Sequence, residues 1–140
     1  MMTVEVALVM AQQQGAWLVQ LKDDIAGIID PGCWVPFGGH LDPGETPEQA
    51  LRRELLEEIN WQVGPLRFWF TDRNRKRIAH FFLADLDVPL SALELLEGQD
   101  LVLASMAELS EARLWSPKLQ QYRPVAACLE CALERLKRKS

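Results

Sequence analysis

The chain has 140 residues, 49% of them apolar and 25% charged, which is enough for a sizeable core and too short for two domains to be the default, so one domain over residues 1–140 is expected. A formal net charge of -5 gives no electrostatic reason to follow a nucleic-acid backbone and excludes polymeric DNA or RNA as a partner, while a small anion stays allowed if a bound cation reverses the local field. No apolar run approaches the roughly 20 residues that span a bilayer, the amino end has no basic leading segment, and three cysteines suit a reducing compartment, so a cytoplasmic protein without membrane contact is expected.

In chain order, residues 3–11 are rich in Val, Leu and Met and residues 16–22 alternate, which predicts a strand pair joined through Gln13-Gln14-Gly15. Residues 23–32 hold Asp23, Asp24, Gly27, Asp30, Pro31 and Gly32 without a period and read as loop. Residues 34–39 are short and apolar and end in Gly38-Gly39, after which Asp42-Pro43-Gly44 signals a turn.

The helix that follows is clearly punctuated. Thr46 suits the N-cap, Pro47 the first helical position, and Gln49 completes a capping box. Leu51, Leu55 and Ile59 recur every four residues and give one apolar stripe, and Asn60 suits a left-handed end.

Residues 61–71 and 77–86 read as a second hairpin around the polar stretch 72–76. A short strand over 101–104, a helical turn over 106–111 and a closing helix from near Pro124 to the basic end at Arg135, Lys137, Arg138 and Lys139 complete the prediction. Hairpins alternating with helices indicate an α/β fold with a sheet between helices.

Glu54, Glu57 and Glu58 stand at i, i+3 and i+4, which places three carboxylates on one helix face. Alone, such a cluster is most simply a solvated face screened by Arg52 and Arg53. The preceding loop adds weight to a second reading. Gly38, Gly39 and Gly44 allow close backbone approach, and Glu45 sits just before the helix, so the region is a plausible site for a hard cation with oxygen ligands.

From Gly39 to Trp61 the chain reads GHLDPGETPEQALRRELLEEINW, which resembles the Nudix box, G-x5-E-x7-R-E-U-x-E-E-x-G-U with U an apolar residue. Gly39, Glu45, Arg53, Glu54, Leu55, Glu57, Glu58 and Trp61 fall in register, and Asn60 stands where the family has Gly, a substitution that a left-handed helix end tolerates. The resemblance implies a Nudix-type α/β/α sandwich with a mixed sheet. It also implies that Glu54, Glu57 and Glu58, with the backbone carbonyl of Gly39, bind Mg2+, or Mn2+ in its place. Arg53 resembles the arginine that orients the carboxylates, and Glu45 and Gly38 resemble supporting positions.

Glu97-Gly98-Gln99 resembles the segment where mutator-type members place a further carboxylate. Glu97 is therefore a candidate metal ligand or general base, with an ordinary loop acid as the alternative. The implied reaction is hydrolysis of a phosphoanhydride in a nucleoside diphosphate linked to another moiety. A nucleoside triphosphate or oxidised purine nucleotide leads, ADP-ribose or another nucleotide sugar follows, and a non-catalytic nucleotide-sensing module is the alternative of a different class.

Phe37, Trp69, Phe81 and Phe82 are candidates to stack on a base, with burial in the core as the alternative. Arg73, with Arg75, Lys76 and Arg77, is a candidate phosphate contact or else a solvated hairpin tip. His80 reads as a strand residue with a satisfied hydrogen bond, and Cys128 and Cys131 as packing residues. Homodimers are common among the relatives, and the aromatic second hairpin offers an interface.

Overall fold

The computed structural model describes residues 3–138; Lys139, expected at the basic end of the last helix, lies outside them. A seven-stranded mixed sheet carries helices on both faces. Its centre is strand β1 (Val4–Gln13), whose residues are buried on both sides: Val6, Leu8 and Met10 enter one core cluster, and Ala7, Val9 and Ala11 the other. That explains the uninterrupted apolar run, since a strand covered on both faces needs no polar alternation. Along one edge β1 pairs in parallel with β6 (Arg77–Asp85), which pairs in turn with the antiparallel edge strand β5 (Arg67–Arg73).

The other edge of β1 positions the site. Gln14 and Gly15, both at positive φ (51° and 80°), make the two-residue hairpin turn into β2 (Ala16–Leu21). The paired residues of β1 and β2 are confined to the turn, Gln12 opposite Trp17 and Gln13 opposite Ala16. Beyond it the two strands diverge. In the gap, β4 (Phe37–His40) pairs with β1 and β3 (Trp34–Val35) pairs with β2, with Pro36 between them. The outer edge of β2 pairs with β7 (Asp100–Ser105). The sheet is thus split at one end of β1, and the split opens a cavity.

Helix α1 (Pro47–Ile59) covers one face, with Leu51, Leu55 and Ile59 packed on Phe37, Val9 and Leu18. Its start carries the capping box between Thr46 and Gln49, and Asn60 ends it in the left-handed conformation (φ 53°). Helix α3 (Ala127–Arg138) covers the other face through Cys128, Leu129, Ala132 and Leu133. Cys128 is buried and Cys131 packs against the same cluster, as expected of packing residues. His80 is hydrogen-bonded to Thr71 (3.0 Å) and Glu5 (2.7 Å), as expected of a satisfied strand residue. Among the described residues, no helix is long and apolar enough to cross a membrane.

Three expectations need correction. Residues 61–66 are not strand: Gly64-Pro65 interrupts pairing, and Trp61 and Val63 are buried by packing under α1 instead. The closing helix starts at Ala127 rather than near Pro124, because Pro124 ends a strand. That strand, β9 (Gln121–Pro124), forms with β8 (Arg113–Ser116) a small hairpin that the sequence reading missed, just after the short helix α2 (Met106–Leu109).

Candidate active site

The cavity at the split measures about 260 Å³. Helix α1 presents Glu54 and Glu58 to it, β4 presents Gly38 and Gly39, the end of β2 supplies Gln20 and Lys22, and the loop before β7 supplies Glu97. Gln20 shares the strand parity of Leu18 and so faces α1, where its amide donates to Glu58 Oε2 at 3.4 Å. Glu58 Oε1 accepts from the Gly38 backbone N–H at 3.3 Å.

Two glycines make these approaches possible. A Cβ on Gly39 would sit 2.5 Å from the Glu54 carboxyl carbon, so only glycine leaves room for that carboxylate against β4. Gly98, at φ 91°, lies against the Leu21 carbonyl and lets the 97–99 loop bond to the end of β2 through Gln99 N–H to Leu21 O (2.8 Å) and the Gln99 amide to Lys22 O (2.9 Å).

Arg53 organises the acidic face. It forms a fork on Glu45 (Nε to Oε2 2.8 Å, Nη2 to Oε1 2.9 Å), donates from Nη1 to Glu54 (3.0 Å) and Glu57 (3.3 Å), and reaches the His40 carbonyl (3.0 Å). The guanidinium hydrogen bonds, together with the Asp42 backbone N–H, hold the Glu45 carboxyl down to about 2. Glu57 is half exposed, engaged with Arg53, and outside the cavity lining.

Burial acts the other way on the inner pair. Desolvation first, and the neighbouring Glu54 carboxylate second, push Glu58 up to about 8. Glu54 is raised by burial against the opposing pull of Arg53. Glu97 adds charge of the same sign to both.

Among the described residues no three His, Cys, Asp or Glu side chains converge closely enough to cage a metal ion as they stand. The donor set nevertheless fits a hard divalent cation. It is oxygen-only, it lines a partly open cavity, and burial first and neighbouring carboxylates second raise the pKa of Glu54 and Glu58, a cost that a bound positive charge would relieve.

The structure therefore gathers Gly38, Gly39, Glu54, Glu58 and Glu97 in one cavity, with Arg53, Glu45 and Glu57 forming the ion network beside it. Phe37 is placed otherwise: its ring is wholly buried under α1 and is no platform for a base. Phe81 and Phe82 are core as well, and Trp69 packs against it. Arg73 stands exposed at the end of β5, away from the cavity lining; of the basic run only Arg77 lines it. Gln20, Lys22 and Asp30 also line the cavity, which was not expected from the sequence. A charged pair directly after an apolar strand, Lys22-Asp23, was the available signal.

A mixed sheet split over an acidic helix, closed by a second helix behind it, defines an α/β/α domain. The NUDIX domain family model matches residues 1–125, and the chain belongs to the Nudix family. The oxidized purine nucleoside triphosphate hydrolase of Danio rerio is 38% identical over 84 residues, covering 56% of this chain and 52% of that protein. The nucleoside triphosphatase NudI of Escherichia coli (strain K12 / DH10B) is 44% identical over 52 residues, covering 37% of this chain and 36% of that protein. The matches thus span about half of the first relative and about a third of the second.

Among solved structures, a MutT Nudix hydrolase from Burkholderia pseudomallei superposes with a TM-score of 0.74 at 19% identity, covering 97% of this chain and 99% of that one. The Escherichia coli ORF135 protein gives 0.65 at 27% identity, covering 98% and 90%.

Proposed function

We propose that the domain, taken as one unit over residues 1–140, is a magnesium-dependent pyrophosphohydrolase of nucleoside triphosphates, oxidised purine nucleotides included, with manganese able to replace magnesium. The observation that carries the proposal is the set of Glu54, Glu58 and Glu97 along one cavity that also contains Lys22. Glu54, Glu58 and Glu97 would hold the cation with the Gly39 backbone carbonyl, and Glu57 would join from the rim. When bound, the cation neutralises diphosphate oxygens and lowers the pKa of an attacking water.

The chain's own residues do the rest. Arg53 fixes the rotamers of Glu54 and Glu57 while Glu45 holds Arg53, so the carboxylates are oriented before substrate arrives. Lys22 offers a flexible point charge to the phosphate chain. Glu97 comes from a different element than α1 and accepts the proton of the attacking water at its carboxylate.

The names of the sequence relatives favour a triphosphate over a nucleotide sugar. The full set of box carboxylates favours catalysis over nucleotide sensing. A product-release screen with magnesium, over nucleoside triphosphates, 8-oxo-dGTP and ADP-ribose, tests the reading. Pyrophosphate from a triphosphate is expected. Turnover of ADP-ribose alone would move the assignment to nucleotide sugars, and binding without turnover of any compound would favour the sensor.

A further inference from the structure

A helix leaves its last carbonyls without partners of its own. At the end of α1, Asn60 N–H returns to Leu56 O at 3.1 Å and Trp61 N–H to Leu55 O at 3.2 Å, which closes the helix and leaves Glu58 O and Ile59 O outside that closure. The chain before β7 takes both: Leu96 N–H donates to Glu58 O at 2.9 Å, and Glu94 N–H to Ile59 O at 3.1 Å. Glu97 follows directly, and on its far side Gln99 N–H bonds Leu21 O at 2.8 Å. Glu97 is therefore slung between the end of α1 and the end of β2, on an irregular segment that no strand pairing supports.

The attachment to α1 includes a side-chain bond as well. Asn60 Nδ2 donates to Glu94 Oε1 at 3.0 Å, joining residues 34 positions apart. Glu94 needs such a donor, because it lies at the carbonyl end of α1, where the helix dipole disfavours negative charge, and α1 has no basic residue in its last turn. Asn60 itself holds φ 53°, a conformation that glycine adopts without strain, so the backbone alone does not call for a side chain there. The amide is what asparagine adds over the glycine of the Nudix box.

We propose that Asn60 is a positioning residue: its amide, through Glu94, holds residues 94–96 on the end of α1 and so sets Glu97 at the cavity. The proposal rests on the reading of Glu97 as the base of a nucleotide hydrolase and adds the side chain that places it. The link is short. Glu58 gives its carboxylate to the cavity and its backbone carbonyl to Leu96, so one residue fixes both a wall of the site and the neighbour of Glu97. Residues 94, 96 and 97 are exposed, and without the Asn60 amide the segment keeps only two backbone bonds to α1, of the kind that open locally. A base that drifts from the attacking water loses rate without changing how the substrate is bound.

The test compares wild type with Asn60→Gly, Glu94→Ala and Glu94→Gln in the full chain, and repeats Asn60→Gly on a Glu97→Gln background. Glycine suits the left-handed helix end, so Asn60→Gly removes the amide and keeps the fold. In the metal-free protein, amide hydrogen exchange at Glu94 and Leu96 should quicken at least about threefold in Asn60→Gly and Glu94→Ala, while Gln99, held by β2, stays unchanged. At saturating magnesium and nucleoside triphosphate, the same two variants should lose at least about threefold in kcat, with KM within about twofold of wild type. Glu94→Gln keeps an acceptor for the amide and should keep most of the rate. On the Glu97→Gln background Asn60→Gly should cost nothing further, which a general loosening of the fold would not reproduce. Unchanged exchange or unchanged kcat in Asn60→Gly, or the same loss with and without Glu97, would overturn the proposal. If wild type hydrolyses triphosphates normally in that case, the enzyme reading stands and only the positioning role falls. Faster exchange at Leu96 in a protein that turns over no triphosphate would instead overturn the enzyme reading and uphold the attachment.

Discussion

Glu58 is the group whose environment differs most from water. It is 6% exposed, it accepts two long hydrogen bonds, and its carboxyl is pushed up to about 8 from an ordinary value of 4.5. Its contribution to stability has a definite sign. Below about pH 4.5 it is protonated in both the folded and the unfolded chain. Between that value and about 8 the unfolded chain loses the proton while the folded one keeps it, so ionisation favours unfolding.

The metal-free protein should therefore lose thermal stability as pH rises across that window, and Glu58→Gln should flatten the slope. Magnesium should raise Tm most at the alkaline end, where the ionised carboxylates are ready to bind it. Thermal melts with chelator and with magnesium check this; an identical slope in wild type and variant would contradict it. The residues of this cluster were legible because their spacing is local. The places of Phe37 and Arg73 were not, because an aromatic beside a glycine pair or an arginine near a turn does not reveal which side of the sheet it meets.

Helix α1 is the element whose sequence signals and structure agree most closely, from the Thr46 cap to the left-handed Asn60. Its end conditions are written within a few residues, and a capping box satisfies backbone donors wherever the helix is placed. Thr46→Ala should cost about 1 kcal/mol of stability, measured by denaturant unfolding. The same variant should weaken activity through the orientation of α1, since that helix carries both Glu54 and Glu58.

The β8–β9 hairpin shows the opposite case. It is held by distant partners: the buried Trp34 indole on the Leu114 carbonyl (2.9 Å), Ser116 on Asp100 (2.7 Å), and Arg123 on the Gly32 carbonyl (3.0 Å). Four-residue strands whose support comes from so far along the chain leave little local signature. Pro124 then reads as a helix start, although it closes a strand.

At the scale of the molecule, the divergence of β1 and β2 joins the parts. It opens the cavity, sets the acidic face of α1 at one end, and leaves Asp30 and Arg77 at the other. The α/β/α layering was readable from the alternation of strand pairs and helices, together with the resemblance carried by residues 39–61. The split was not, since it depends on β3 and β4, strands of two and four residues, filling the gap between β1 and β2.

The most direct test is magnesium-dependent product release from nucleoside triphosphates by wild type and by Glu58→Gln, each shown to be folded by circular dichroism. Wild type should release pyrophosphate and a nucleoside monophosphate, and the variant should lose at least about a hundredfold in kcat. Near-normal turnover by folded Glu58→Gln, or orthophosphate and a nucleoside diphosphate as the primary products, would contradict the account.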